Sequence, residues 1–213
     1  FPPEAIFHNP DVKQEADMPE MAAPLVAEYC GDNPDNCSDG KINMEFQYSG
    51  PSVIQDRIFD VLAAGYEPYF NVTKDMLLQD DHITQTAIGQ FDFLTWRQMG
   101  ARNPDGDGVW IVCDAIGFLS LNWPRYCSPE RDEIIFEARG NTDRDAVVQA
   151  WKDVAVNVQE SYTYVMLTHT LWNATYDPKV RGACDFKFPD GTEPYCRGTG
   201  GGYGSYSTMW FEE

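Results

Sequence analysis

Six cysteines, three histidines and one acidic glycine-rich run carry most of the chemical potential of this 213-residue chain. The cysteines form three local pairs: Cys30 with Cys37, Cys113 with Cys127, and Cys184 with Cys196. Each pair brackets a loop rich in Gly, Pro, Asn or Asp. Structural zinc uses Cys-x2-Cys or Cys/His spacings of a few residues, and none occurs here. Three short-range disulfides are therefore the expected state, which implies an oxidising space outside the cytoplasm. Six buried thiols in a reducing compartment are the alternative, and spacing alone does not fix connectivity.

The run Asn103-Pro-Asp105-Gly-Asp107-Gly108, with Asp114 further on, puts oxygen donors at the first, third, fifth and twelfth positions of a calcium loop. Four features count against calcium. The first position is Asn, the twelfth is Asp in place of Glu, Pro104 stiffens the loop, and the preceding segment reads as a strand rather than a helix. No metal is expected. His8, His82 and His169 are scattered and form no His-Glu-x-x-His pair, and there is no Gly-x-Ser-x-Gly elbow. The glycines at 198–202 lack the Lys and Ser/Thr of a phosphate loop. Asp80-Asp81 and Glu212-Glu213 read as solvated surface. The residues thus offer no catalytic constellation and call for no cofactor. Asn36, Asn71 and Asn173 each head an Asn-x-Ser/Thr triplet, which fits a secreted glycoprotein.

Lys and Arg number 15 against 34 Asp and Glu, a net charge of −19, which opposes a phosphate backbone and excludes nucleic acid as a partner. Hydrophobic residues at 43%, with 14% aromatic, suffice for a packed core. No apolar run approaches the roughly 18 to 20 residues of a membrane span. The chain opens at Phe1 with no export-signal pattern, so the expectation is a processed or excised piece of something longer.

Periodicity supplies the elements that must position these residues. Residues 18–29 read as a helix with Met21, Leu25, Val26 and Tyr29 on one face, weakened at Pro24. Ile42, Met44, Phe46 and Tyr48 alternate as a strand. A helix over 52–64 follows, with Ser52 as N-cap and Gly65 as C-cap. Then come a strand over 66–72, a helix over 74–87 and a strand over 91–96. After the polar loop at 103–108, helices are predicted over 130–140 and 143–160, the second burying Val147, Val148, Trp151, Val154, Ala155 and Val158. A strand over 164–171, a turn over 177–182 and a glycine-rich tail complete the chain. Helices alternating with strands argue an α/β layer with mostly parallel pairing.

The segment Gly89-Gln-Phe-Asp92-Phe-Leu-Thr-Trp96-Arg-Gln, followed by Asn103-Pro-Asp105, resembles the Gly-x-(Phe/Tyr)-Asp…Trp…Asp-Pro segment of extracytoplasmic solute-binding proteins of the dipeptide/oligopeptide class, the family-5 receptors of ABC importers. Neighbouring segments agree in order. Phe1-Pro-Pro resembles the stretch that opens this region, and Asn9-Pro-Asp11 through Leu25-Val-Ala-Glu28 its first helix. Ser128-Pro-Glu130-Arg-Asp132-Glu-Ile-Ile-Phe-Glu-Ala-Arg139 resembles the "Asn-Pro-Glu-Val-Asp" helix, and Tyr176-Asp-Pro-Lys-Val-Arg-Gly182 the closing turn.

The resemblance implies an α/β fold, a lobe like that of a type II periplasmic binding protein, with a mixed, mostly parallel sheet flanked by helices. Residues 1–182 would be the C-terminal solute-binding lobe, and 183–213 a tail returning toward an N-terminal lobe missing from this sequence. It implies a non-enzyme that binds a peptide or other small solute, outside the cytoplasm in the periplasm or at the cell surface, and delivers it to an ABC-importer permease in the membrane. By position it marks Trp96, Arg97 and Gln98 as cleft residues, Asp105 as the first acid after the motif Trp, and His169 as lying on a strand that reaches the cleft. In peptide-binding members an Asp closely follows the motif Trp. Here the spacing differs, because Arg97-Gln-Met-Gly100 stands in that place. A secreted, disulfide-stabilised eukaryotic enzyme, or an interaction domain with a calcium loop, is the alternative.

Overall fold

A computed structural model describes residues 1–97, 103–169, 177–183, 187 and 209–212. Helix α1 (Pro19–Asp32) is followed by a short strand β1 (Cys37–Ser38) and the long strand β2 (Lys41–Ser49). Then come α2 (Val53–Tyr66), β3 (Phe70–Leu77), α3 (Gln79–Ile88) and the brief β4 (Phe93–Leu94). Two 3-10 turns, Pro104–Trp110 and Cys113–Ala115, lead into α4 (Pro129–Gly140) and α5 (Arg144–Glu160). A two-residue strand β5 (Val180–Arg181) pairs antiparallel with β6 (Trp210–Phe211).

β2 is the axis of the sheet. It pairs in parallel with β3 from Ile42–Phe70 to Ser49–Leu77. On its other edge it holds β1 antiparallel at one end and β4 parallel at Phe46–Phe93 and Gln47–Leu94. The chain thus steps from β2 to β3 on one side and returns across β2 to β4 on the other. Right-handed crossovers then require α2 and α3 to cover opposite faces of the sheet. Side-chain alternation agrees. Phe46 and Tyr48 meet Phe59 of α2 at ring-centroid distances of 5.3 and 6.0 Å, while Gln47 between them bonds to His82 and Gln85 of α3. The expected mixed, mostly parallel sheet flanked by helices is what forms.

Several predicted boundaries move. α2 does not stop at Gly65. It runs to Tyr66, with the Glu67 N–H donating to Ala63 O, so β3 begins at Phe70 rather than at 66. β3 extends through Leu77 into the stretch read as the start of α3, because eight backbone pairs to β2 outweigh the helical spacing of Met76 and Leu77. The strand over 91–96 shrinks to Phe93–Leu94. The strand expected over 164–171 forms no ladder in its described part. The Met166 backbone is instead matched by the Gln14 side-chain amide, at 2.7 and 3.3 Å. The predicted turn at 177–182 contains β5. In α1 only Val26 is buried. Met21, Leu25 and Tyr29 are exposed, and the helix continues through Pro24. Leu25, Val26 and Tyr29 line an open apolar cavity of about 370 Å³ with Ala22, Ile42, Tyr69 and Phe70.

Cys30–Cys37 and Cys113–Cys127 are disulfides, with Cα atoms 5.6 and 4.6 Å apart. The third expected pair, Cys184 and Cys196, lies outside the described residues, as does Gly198–Gly204.

α4 and α5 pack around a second apolar centre of Val112, Ile135, Trp151 and Val154, capped by Phe7 and Val158. Their starts are written in sequence. The Ser128 hydroxyl accepts the Arg131 N–H, and the Asp143 carboxylate accepts the Asp145 N–H. Arg131 is buried beneath them, donating to the carbonyls of Ile111 and Tyr126 and to Asn157 Oδ1.

Candidate functional site

In open α/β sheets, ligands bind beyond the carboxyl ends of the strands where strand order reverses. Here that point is the end of β2 beside β4, and the residue that emerges from β4 there is Trp96. Its approach is held from three directions. The Thr95 N–H donates to Gln47 O at 3.0 Å, the Thr95 hydroxyl donates to Gln55 Oε1 of α2 at 3.2 Å, and the Thr95 carbonyl faces His82 Nε2 at 3.2 Å. Upstream, the Glu45 N–H donates to Asp92 Oδ2 at 2.9 Å, which fixes the entry to β4.

Trp96 is half-buried, one face stacked on the His82 ring at 5.2 Å and 25°. Its other contacts are edge-on. Trp123 lies 3.9 Å away at 69°, and Trp110 follows at 4.9 Å from Trp123. Three indoles, each half-buried, thus form one continuous aromatic wall. Offset and edge-to-face geometries suit the ring quadrupoles, so the wall is cohesive while still presenting apolar surface.

Each indole is braced. Trp110 ends the 3-10 turn, and its carbonyl accepts the Tyr164 hydroxyl at 2.9 Å. Burial pushes the Tyr164 phenol up to about 12, so it stays a neutral donor. Trp123 follows Asn122, whose buried amide donates to the carbonyls of Val112 and Tyr126. Arg125 joins this loop to α3 by donating to Ala87 O at 2.9 Å and to the carbonyls of Gly117 and Phe118.

Behind the wall lies a buried amide network centred on Gln47. Its side chain contacts His82 Nδ1 at 3.1 Å and Gln85 at 2.9 Å, with Gln90 O and Asp75 Oδ2 at 3.4 Å. Burial lowers the His82 pKa, while the bond to the Thr95 carbonyl and the Asp75 carboxylate act in the opposite direction.

Trp96 lies in the aromatic wall, and Arg97, next to it, is exposed. Gln98 lies outside the described residues. Asp105 is ion-paired with Arg139 of α4, whose guanidinium also lies over the Phe136 ring at 5.0 Å. His169 is exposed. Asn103 caps the following 3-10 turn, Pro104–Trp110, by accepting the Asp105 N–H. No group of three His, Cys, Asp or Glu residues able to hold a metal occurs among the described residues. The sequon residue Asn71 commits its amide to Ser38 O and Asn43 Oδ1. His82, Trp110, Trp123 and Gln47 escape sequence reading. They lie on four different segments, and only the crossing of β2 by the return to β4 gathers them.

Sequence comparison finds no protein family whose model matches the chain and no curated protein that matches it. Structural comparison does find relatives of fold. The ABC transporter-associated periplasmic binding protein DppA from Helicobacter pylori, in complex with the peptide STSA, is 15% identical with a TM-score of 0.62, over 78% of this chain and 31% of that one. The oligopeptide-binding protein AppA from Bacillus subtilis, in complex with a nonapeptide, is 15% identical with a TM-score of 0.63, over 100% of this chain and 41% of that one. NikA from Brucella suis, in complex with Fe(III)-EDTA, is 18% identical with a TM-score of 0.58, over 75% of this chain and 34% of that one. The chain spans between about a third and two fifths of the length of these proteins, and shares the fold of that part.

Proposed function

We propose that this chain is one lobe of an extracytoplasmic solute-binding receptor of an ABC importer, and that Trp96 stands on the wall facing the solute. The carrying observation is the three-indole wall at the switch point of the sheet, in a fold shared with proteins solved in complex with peptides and with a metal chelate. Peptides and a metal chelate are both bound by proteins of this fold, so the solute class is peptides or other small solutes of that size. Trp96 supplies a flat apolar surface for the solute, and the adjacent Arg97 is suited to fork onto a carboxylate. A second lobe and a membrane permease are the implied partners. The disulfides fit a location outside the cytoplasm. The lobe binds without catalysing, and its share of the binding energy is completed when a second lobe closes on the solute.

The test is intrinsic tryptophan emission titrated with a defined mixture of di- to pentapeptides, on the full-length native protein from its source and on its Trp96→Phe variant. A saturable emission change in the native protein that is lost in Trp96→Phe supports the reading. An emission that stays flat up to millimolar peptide, with no small solute accompanying the protein purified from its source, overturns it.

A further inference from the structure

We infer that His82 is a positioning residue for Trp96, and that its two charge states select opposite orientations of the Gln47 and Gln85 amides, making the aromatic wall pH-responsive. The consequence for solute capture rests on the reading of Trp96 given above; the switch itself does not.

His82 is 1% exposed, so water does not complete its bonding. Nε2 lies 3.2 Å from the Thr95 carbonyl, which can only accept, so Nε2 carries a hydrogen in either charge state. The neutral ring then presents a lone pair at Nδ1 and requires the Gln47 NH2 opposite it. The imidazolium presents N–H at both nitrogens and requires the Gln47 oxygen. The two amide orientations differ by a half-turn of one terminal torsion.

With Gln47 Oε1 toward His82 at 3.1 Å, its NH2 reaches Gln85 Oε1 at 2.9 Å, and Gln90 O and Asp75 Oδ2 at 3.4 Å. This arrangement matches the imidazolium. Turning the Gln47 amide for the neutral ring obliges Gln85 to turn as well, and withdraws the donor from Gln90 O and Asp75. The network therefore has two discrete arrangements: with the imidazolium each Gln47 group meets a complementary partner, and with the neutral ring the Gln47 oxygen faces Gln90 O and Asp75 Oδ2.

The groups around the ring are the Gln47 amide from β2, the Asp75 carboxylate from β3, Gln85 on its own helix, and the Thr95 carbonyl and Trp96 face after β4. Asp75 is the charged group among them that acts on the ring.

Both bonds to Trp96's surroundings respond to the same proton. An imidazolium against the indole face at 5.2 Å gains a cation–π attraction that the neutral ring lacks. Its bond to the Thr95 carbonyl, one residue before Trp96, becomes charge-assisted and shorter. Acidification thus draws Trp96 onto His82 and fixes the wall, and neutralisation releases it.

The experiment is a pH titration of 15N-labelled native protein by NMR, with no ligand present. Nitrogen shifts of His82 report its tautomer and protonation directly. The expected result is an Nε2–H tautomer near neutral pH that becomes doubly protonated below 6.5, the ordinary histidine value. The side-chain NH2 signals of Gln47 and Gln85 and the Trp96 indole N–H move with the same midpoint. In His82→Gln, the Trp96 shift with pH disappears. In Trp96→Phe, the His82 midpoint falls by about half a pH unit as the cation–π contact is weakened.

An Nδ1–H tautomer, a His82 titration that leaves Gln47 and Trp96 unmoved, a Trp96 titration that survives in His82→Gln, or a His82 midpoint unchanged in Trp96→Phe overturns the inference. The phenylalanine variant keeps the test open if the glutamine variant does not fold. Failure to bind peptides with an intact titration would overturn the proposed function and leave the switch standing.

Discussion

At the scale of single residues, buried polar groups define this molecule more than its apolar ones do. Arg131 is a buried cation whose partners are mostly carbonyls. Asp132, beside it in sequence, is committed to the Cys113 N–H at 3.0 and 3.2 Å. Removing the guanidinium strands the carbonyl of Ile111 and Asn157 Oδ1, and leaves Tyr126 O with the Asn122 amide. Arg131→Met should therefore cost roughly 2–4 kcal/mol, read from urea denaturation midpoints. A midpoint unchanged from the native protein would show that water replaces the lost donors.

His82 gives a pH dependence with a defined sign. Its folded-state pKa lies below the ordinary 6.5, so between the two values the unfolded chain binds more protons. Its contribution is fully present above about pH 6.5 and is lost as pH falls through the lower, folded-state value. Comparison of denaturation curves at several pH values should show this acid limb in the native protein and a shallower one in His82→Gln.

At the scale of elements, two glycines have opposite meanings. Gly89 ends α3 with φ of +78°, in the left-handed region, and its N–H donates to Gln85 O and Thr86 O. A Cβ there would also collide with the Arg125 side chain that ties α3 to the Trp123 loop. Gly89→Ala is expected to cost about 1–2 kcal/mol. Gly65 lies inside α2 with open space around its missing Cβ, so Gly65→Ala should raise stability by up to about 1 kcal/mol. Thermal melts of the two variants should shift in opposite directions. The start of α4 has a double role, because Ser128 Oγ accepts both the Arg131 N–H and the Asn157 side chain of α5 at 3.2 Å. Ser128→Ala removes cap and bridge together.

At the scale of the whole molecule, charge and cross-links compete. A net charge of −19 on 213 residues opposes compaction, and salt screens that repulsion. The melting temperature should climb between low and physiological ionic strength, and a flat response would mean the acidic groups are locally compensated. The Cys113–Cys127 bond closes a separation of 14 residues next to the second apolar centre. In the chain-entropy description such a loop contributes about 3 kcal/mol, so a reductant should lower the melting temperature measurably. The same loop carries Trp123, so reduction should also alter tryptophan emission below the melting transition.

What the sequence determined by itself is what short-range physics controls. The alternation in 42–48, the caps at Ser52, Ser128 and Asp143, and the close spacing of Cys30 with Cys37 and Cys113 with Cys127 each depend on a few adjacent residues. The order of elements was legible for the same reason, and with it the family resemblance that led to Trp96. The boundary at Lys74 was not, because the full-length pairing of β3 with β2 overrode local preference there. The wall itself was decided only in three dimensions. His82, Trp96, Trp110 and Trp123 are separated by 12 or more residues at each step, and nothing in their local patterns distinguishes them from core residues. His82 and Trp96 meet because a right-handed chain that pairs β3 on one edge of β2 must cross to place β4 on the other, and Trp123 is brought to them by the loop that Arg125 ties to α3. That crossing sets α3 behind the sheet and Trp96 at its carboxyl end.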